Sequence, residues 1–259
     1  MPKTVESRTD NATYVVPALK KGLQILELFS PSAKVLTIND FAEALGVSTS
    51  AIYRTVVTLT EMNYLKKLER NSYELGAKVL SNGFCYLASR EIVQIAAPYL
   101  LNLRDETSSA CHLAIRDNID AIYLYRAPSP QRLAVNVQIG TRLPCHATAI
   151  GRALLTGLDD NTLAELYAGI ALDAISPLGP SSLPHLRQII HEDRHRGFSI
   201  NRSDFSTAIA TPIKNFAGQV VAAINVSAPD NLMGDESVRD NLTALLRKTA
   251  ARISDEVGG

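Results

Sequence analysis

Between Leu36 and Leu59 the chain reads LTINDFAEALGVSTSAIYRTVVTL, and few folds accommodate that order of signals. Thr37 is a good helix N-cap, and Asp40, three residues on, lies near the positive end of the helix dipole. Ile38, Phe41, Ala42 and Leu45 recur at helical spacing until Gly46 stops the run. Two residues later Ser48 can cap a second helix. A short helix, a tight Gly-containing turn and a capped second helix make a helix-turn-helix. Upstream, Pro17 opens a helix with Leu19, Leu23, Leu26 and Phe29 on one stripe and Ile25 nearby. Downstream, YLKKLERNSYEL alternates Leu65/Lys67 and Tyr73/Leu75 around a polar ERNS turn, as a hairpin does. Residues 17–79 therefore predict a winged helix-turn-helix.

The second helix of the pair has two faces. With Ile52 set at zero, Val56 falls near ~40° and Leu59 near ~340°, a buried stripe. Ser50 falls near ~160°, Tyr53 near ~100°, Arg54 near ~200° and Val57 near ~140°. A hydroxyl, a phenol, a guanidinium and a valine suit a major groove, where Arg grips guanine or phosphate and Val meets a thymine methyl. Thr49 and Ser50 sit at the helix N-terminus, which favours a phosphate. Lys66, Lys67 and Arg70 on the wing are candidates for backbone contacts. The same residues would also serve as an ordinary solvated face. Charge decides little between the two. The first 80 residues carry 10 Lys+Arg against 8 Asp+Glu, and the remainder 16 against 18.

From Ala77 to about Leu103 the pattern is helical, with an interruption expected at Pro98. It reads as a linker helix over 80–97, and a second domain spans 98–259. There ACHLAIRD, AIYLYRA and RLAVNVQ predict strands separated by DNID and PSPQ turns. Helices follow at about 148–156, 159–168 and 183–196. Strands return at FSI, AIATPI and VVAAINV, and a helix from about Glu236 to Val257 closes the chain. Mixed elements without βαβ alternation predict an α+β domain with a mostly antiparallel sheet. Tyr123 and Tyr125, two apart on a strand, are expected to share a face, which either lines a pocket or packs within the sheet.

Several function classes lose support. No apolar run approaches the ~18 residues of a membrane span, and the N-terminus has no signal-peptide core, so residues 1–16 read as a flexible polar arm. Cys85, Cys111 and Cys145 lack paired spacing, which argues for a reducing cytoplasm. Cys145-His146 and Cys111-His112 lack the spacing of a zinc site and read as core residues. No nucleotide-binding loop or nucleophile elbow is present, so no cofactor is expected. HEDRH, His191 to His195, does match H-E-x-x-H, the helical pattern of a zinc hydrolase with Glu192 as general base. With Leu186 at zero, however, His191 falls near ~140° and His195 near ~180°, away from the core. A zinc-dependent hydrolase on His191, Glu192 and His195 is thus the weaker alternative.

Several stretches together resemble the IclR family of bacterial transcriptional regulators. They are VPALKKGLQILELF, the helix-turn-helix, Tyr64 to Leu75, IGTRLPCHATAIGRALL, RGF, AIATPI and GQVVAAINVSAP. The resemblance implies an α/β multidomain chain: an N-terminal winged helix-turn-helix and a C-terminal α+β, GAF-like effector-binding domain. It implies a homodimer or dimer of dimers on a palindromic double-stranded operator, and a small metabolite, often a carboxylate of a catabolic pathway, as effector. Carried over by position, the effector meets the amides of Ala149 and Ile150, with Asn201, Ala208, Asn225 and Ser227 completing the site. Asn225 and Ser227, two apart on a strand, face one side. Two departures stand out: the stretch from Gly197 to Ile213 is shorter than in many members and lacks their acidic cluster, and Ala208 has no polar side chain.

Overall fold

The computed structural model describes residues 14–131, 137–172, 179–203 and 206–257. Most of the expected N-terminal arm lies outside them. The chain divides into two compact units, Met1–Ser89 and Arg90–Gly259.

In the first unit α1 (Pro17–Glu27) packs on α3 (Thr49–Glu61). It buries Gly22 and Ile25 and leaves Leu19 and Leu23 exposed, so the stripe expected from spacing is rotated. The small Gly22 side permits the close approach that turns the helix this way. Between them β1 (Leu36–Thr37) leads into α2 (Ile38–Ala44). Thr37 and Asp40 form a reciprocal capping box: Thr37 N–H donates to Asp40 at 2.7 Å, and Asp40 N–H donates to the Thr37 hydroxyl at 3.3 Å. Gly46 turns the chain with a φ of +62°, and Ser48 accepts from Ala51 N–H at 3.3 Å to start α3. The hairpin is β2 (Leu65–Lys67) and β3 (Ser72–Leu75). It gains a third strand that spacing does not reveal, because β1 pairs with β3. Ile25, Phe41, Ile52, Val56, Leu65 and Tyr73 form one core, each aliphatic contributing ~1.5–3 kcal/mol by burial.

Two helices follow, α4 (Ala77–Ala88) and α5 (Glu91–Thr107). The expected break at Pro98 falls instead at Ser89–Arg90, and α5 runs through its proline. Ala96, Leu100 and Leu103 are buried on either side of Pro98 and hold the helix across the missing N–H.

The second unit is a six-stranded antiparallel sheet. Its strands are β4 (Ala110–Asp117), β5 (Asp120–Ala127), β6 (Arg142–Pro144), β7 (Ser199–Arg202), β8 (Ser206–Lys214) and β9 (Val220–Pro229), in the order β6-β5-β4-β9-β8-β7. The helices of this unit after α5 are α6 (Ala149–Leu155), α7 (Asp160–Leu166), α8 (Leu183–Arg196), α9 (Asp230–Met233) and α10 (Glu236–Glu256). One sheet face carries α5 and α10; the other carries α6, which is backed by α8, and α7 packs on α8 in turn. Strand β6 and helix α9 were not foreseen, and residues 132–136, most of the predicted RLAVNVQ strand, lie outside the described residues. Because both faces are covered, β9 is buried throughout its middle. Ala223, Asn225 and Ser227 turn toward α6, and Ile224 and Val226 toward α5 and α10.

One local irregularity matters for the site. Ala114 pairs with Tyr123, but Leu113 pairs with Tyr125, leaving Leu124 as the extra residue of a β-bulge. The bulge inverts the alternation. Tyr123 shares the face of His112 and Ala114, whereas Tyr125 lies on the opposite face, near Arg104 of α5. The expectation that the two tyrosines share a face is therefore wrong.

Candidate functional site

A cavity of about 280 Å³ lies between the start of α6 and the sheet. Its helical wall is set by two residues. Thr148 caps α6, accepting from Gly151 N–H at 3.0 Å, and the first intrahelical bond runs from Arg152 N–H to Thr148 O. The amides of Ala149 and Ile150 precede that bond and so are among the donors a helix cannot satisfy internally. Gly151 lets the wall close. A Cβ there would come within 2.3 Å of Cys145 Cα and 2.5 Å of Cys145 O.

Behind this wall α6 is tied to α8. Arg152 and Asp193 form a buried ion pair at 3.3 Å, Arg196 also binds Asp193, and the Arg152 guanidinium donates to Ile200 O. Burial lowers the Arg152 pKa and raises that of Asp193, and each charge offsets part of the other's cost. Asp193 had a readable signal: seven residues after Leu186, it falls near ~340° on the apolar stripe of α8.

The sheet supplies the floor. His112, on β4, lies opposite Asn225 on β9, and its Nδ1–H donates to Asn225 Oδ1 at 3.0 Å. Burial pushes the His112 pKa down from 6.5 to about 4, with the Asn225 bond working the other way, so the ring is neutral at pH 7. Its Nε2 is buried without a protein partner. Tyr123 stands edge-on to this imidazole, centroids 5.6 Å apart, and burial holds its phenol protonated, above the usual range. Ser227 and Ala208 pair across β9 and β8 and line the same space. From the side, Asn201 on edge strand β7 lines it too and donates to Ala147 O at 3.2 Å. Val137, Leu143, Pro144 and Ile150 make the remaining wall apolar.

All six residues expected at the effector site, Ala149, Ile150, Asn201, Ala208, Asn225 and Ser227, line this one cavity. Of the two tyrosines offered as pocket residues, Tyr123 lines the cavity and Tyr125 does not; sequence reasoning left out His112, Thr148, Ser203 and Ser206. Nothing local marks His112 as a lining residue, since its role depends on pairing with a strand 113 residues away. Cys111 and Cys145 are buried, and burial pushes both thiols up to about 12, which leaves them inert. His146 is buried edge-on to Tyr167 at 5.7 Å.

In the first unit Thr49, Ser50, Tyr53 and Arg54 are all exposed on α3, opposite the buried Ile52 and Val56, while Val57 is half-buried rather than exposed. Thr49, Ser50 and Tyr53 border a shallow cleft with Asn71 at the wing turn. Arg70 and Asn71 both adopt a φ of +56°, which turns the wing tip. Arg70 and Lys67 are exposed; Lys66 is exposed but pairs with Glu74 at 2.9 Å.

The chain matches two family descriptions, one for each unit. Residues 18–69 match the IclR helix-turn-helix domain, and residues 84–255 match the bacterial transcriptional regulator IclR C-terminal domain. The chain belongs to the IclR family. Like other IclR proteins it is a DNA-binding transcriptional regulator with a C-terminal effector-binding domain, and not an enzyme. It is 27% identical to the HTH-type transcriptional regulator XynR of Escherichia coli K12, over 94% of this chain and 98% of that one. A crystallised candidate transcriptional regulator from Rhodococcus sp. RHA1 is 28% identical, with a TM-score of 0.82 over 94% of this chain and 98% of that one. An IclR homologue from Microbacterium hydrocarbonoxydans, crystallised with 4-hydroxybenzoate, shares the fold at a TM-score of 0.79 and 20% identity, over 93% and 98% of the two chains.

Against this IclR framework the zinc-hydrolase alternative has no footing. His191, Glu192 and His195 are exposed on α8, and no cluster of three metal-ligating side chains occurs among the described residues. The part of HEDRH that matters is Asp193, which the helix turns inward.

Proposed function

We propose that this regulator senses a small carboxylate in the α6–sheet cavity and controls a catabolic operon through a palindromic operator. One observation carries the reading. Residues from four separate segments, matched by position to the family's effector site, line a single cavity of about 280 Å³. The free amides at the start of α6 and the positive end of its dipole suit an anion, and the M. hydrocarbonoxydans homologue was crystallised with a carboxylic acid. On the DNA side, Arg54 contacts the major groove, Thr49, Ser50 and Tyr53 contact phosphate, and Lys67 and Arg70 hold the backbone from the wing, with Lys66 beside them. Residues 17–79 act as the DNA-binding domain, 80–97 as the linker and 98–259 as the sensor.

A homodimer, or a dimer of dimers, fits a palindrome. It also gives occupants to exposed apolar side chains on α1 and α4: Leu19 is 62% exposed, Leu80 71% and Phe84 66%. DNA as partner and cysteines without paired spacing support a cytoplasmic location; none of the described helices is long and apolar enough to cross a membrane.

The test is binding to the DNA upstream of its own gene, at several salt concentrations, with and without a panel of small carboxylates. Wild type should prefer that DNA over random sequence, and at least one acid should shift the affinity. Arg54→Ala should cost about 1–3 kcal/mol of specific binding. Wild type without any preference would end the reading.

A further inference from the structure

The effector site contains a polar atom that a carboxylate does not need. His112 is 1% exposed, and its Nδ1–H is committed to Asn225 Oδ1 at 3.0 Å. With the proton on Nδ1, Nε2 of the neutral ring carries a lone pair and accepts hydrogen bonds. That atom is buried, belongs to a residue lining the cavity, and has no partner in the protein. Buried polar atoms are nearly always paired, so an orphan on a residue that lines a cavity marks a place for a bonding partner from outside the chain.

The chemistry of that partner follows from the ring. A carboxylate oxygen cannot donate to Nε2, and two lone pairs would repel. A hydroxyl can donate. The surroundings keep the ring in this state. Asn225 fixes the tautomer from β9. Tyr123 from β5 covers one side edge-on. Arg126, opposite His112 across the β4–β5 ladder, disfavours a second positive charge. Charge recognition and hydroxyl recognition thereby occupy different walls, the first at the start of α6 and the second on the sheet floor.

We infer that His112 is the specificity residue of this site, and that the effector is a hydroxylated carboxylic acid whose hydroxyl donates to His112 Nε2. The inference rests on the carboxylate reading above. Asn225 is its positioning partner, holding the ring so that the acceptor and not the donor points at the ligand.

The experiment measures binding of matched pairs of acids by isothermal titration calorimetry to the full-length protein. Lactate is compared with propionate, malate with succinate, and 3- and 4-hydroxybenzoate with benzoate. In at least one pair the hydroxy acid should bind about tenfold tighter or more. His112→Phe should abolish that preference, the two acids of the pair then binding alike, and His112→Gln, which restores an acceptor, should recover part of it. In wild type labelled with ¹⁵N-histidine, one imidazole should show the Nδ1–H tautomer, with its unprotonated nitrogen shifting on addition of the preferred acid. That readout does not depend on any variant folding. If acids bind but no pair discriminates, or if His112→Phe keeps the discrimination, or if the ring carries its proton on Nε2, the inference is overturned and the carboxylate reading stands. If no acid in the panel binds, both fall.

Discussion

Acid should destabilise the effector unit through His112 before it reaches the carboxylates that folding favours in charged form. In the folded chain this imidazole takes a proton only near pH 4, because burial disfavours its charged form; in the unfolded chain it takes one near 6.5. Between those values the unfolded form binds a proton that the folded form refuses. Stability is therefore full above pH 6.5, falls as pH drops toward 4, and changes no further below that on account of this group. At about 1.4 kcal/mol per pH unit, the loss across the window reaches about 3 kcal/mol, a sizeable share of a domain's stability. Carboxylates that folding favours in charged form, such as Asp159, Asp230 and Asp235, titrate from 3.8 downward and lie outside the window. The assay is urea unfolding followed by circular dichroism at pH 7, 5.5 and 4.5, for wild type and His112→Gln. The variant should be less stable than wild type at pH 7 and should lose less stability on acidification. Parallel pH profiles for the two proteins would refute the reasoning.

Two further outcomes follow from the wall behind α6. Asp193→Ala removes the carboxylate that offsets the buried Arg152 charge, and should cost about 3–5 kcal/mol in chemical denaturation; the double variant with Arg152→Met should recover most of it, and a cost like that of a surface substitution would contradict the geometry. Gly151→Ala forces a methyl against Cys145 backbone atoms and should cost about 1–3 kcal/mol; the same displacement of the α6 amides should weaken acid binding in calorimetry, and unchanged affinity would mean those amides do not meet the ligand.

The first unit was legible because its signals are local. Thr37 with Asp40, Gly46 and Ser48 are all within reach of the residues they organise, and the Ile52–Val56 stripe needs only helical geometry. The rotation of α1 was not legible, since Leu19 and Leu23 obey the spacing but the packing partner selects Gly22 and Ile25. In the second unit most strands could be read from alternation, yet their pairing could not. His112 becomes a floor residue only by meeting Asn225 across a ladder, and one extra residue at Leu124 inverts Tyr125 without a Gly or Pro to announce it. The resemblance supplied the cavity residues that periodicity could not, and omitted His112.

Arg152 and Asp193 also decide when the chain loses its entropy. A first turn of α6 clamped to α8 is ordered during folding, so the ligand does not have to order it on arrival, and small molecules can bind it with few contacts. The clamp also limits where a signal can begin. A wall that is already fixed looks the same with and without its guest, so any message leaving the cavity must start on the opposite side. There Asn201 sits on β7, an edge strand of the sheet among the described residues, with its side chain bonded across to Ala147 O.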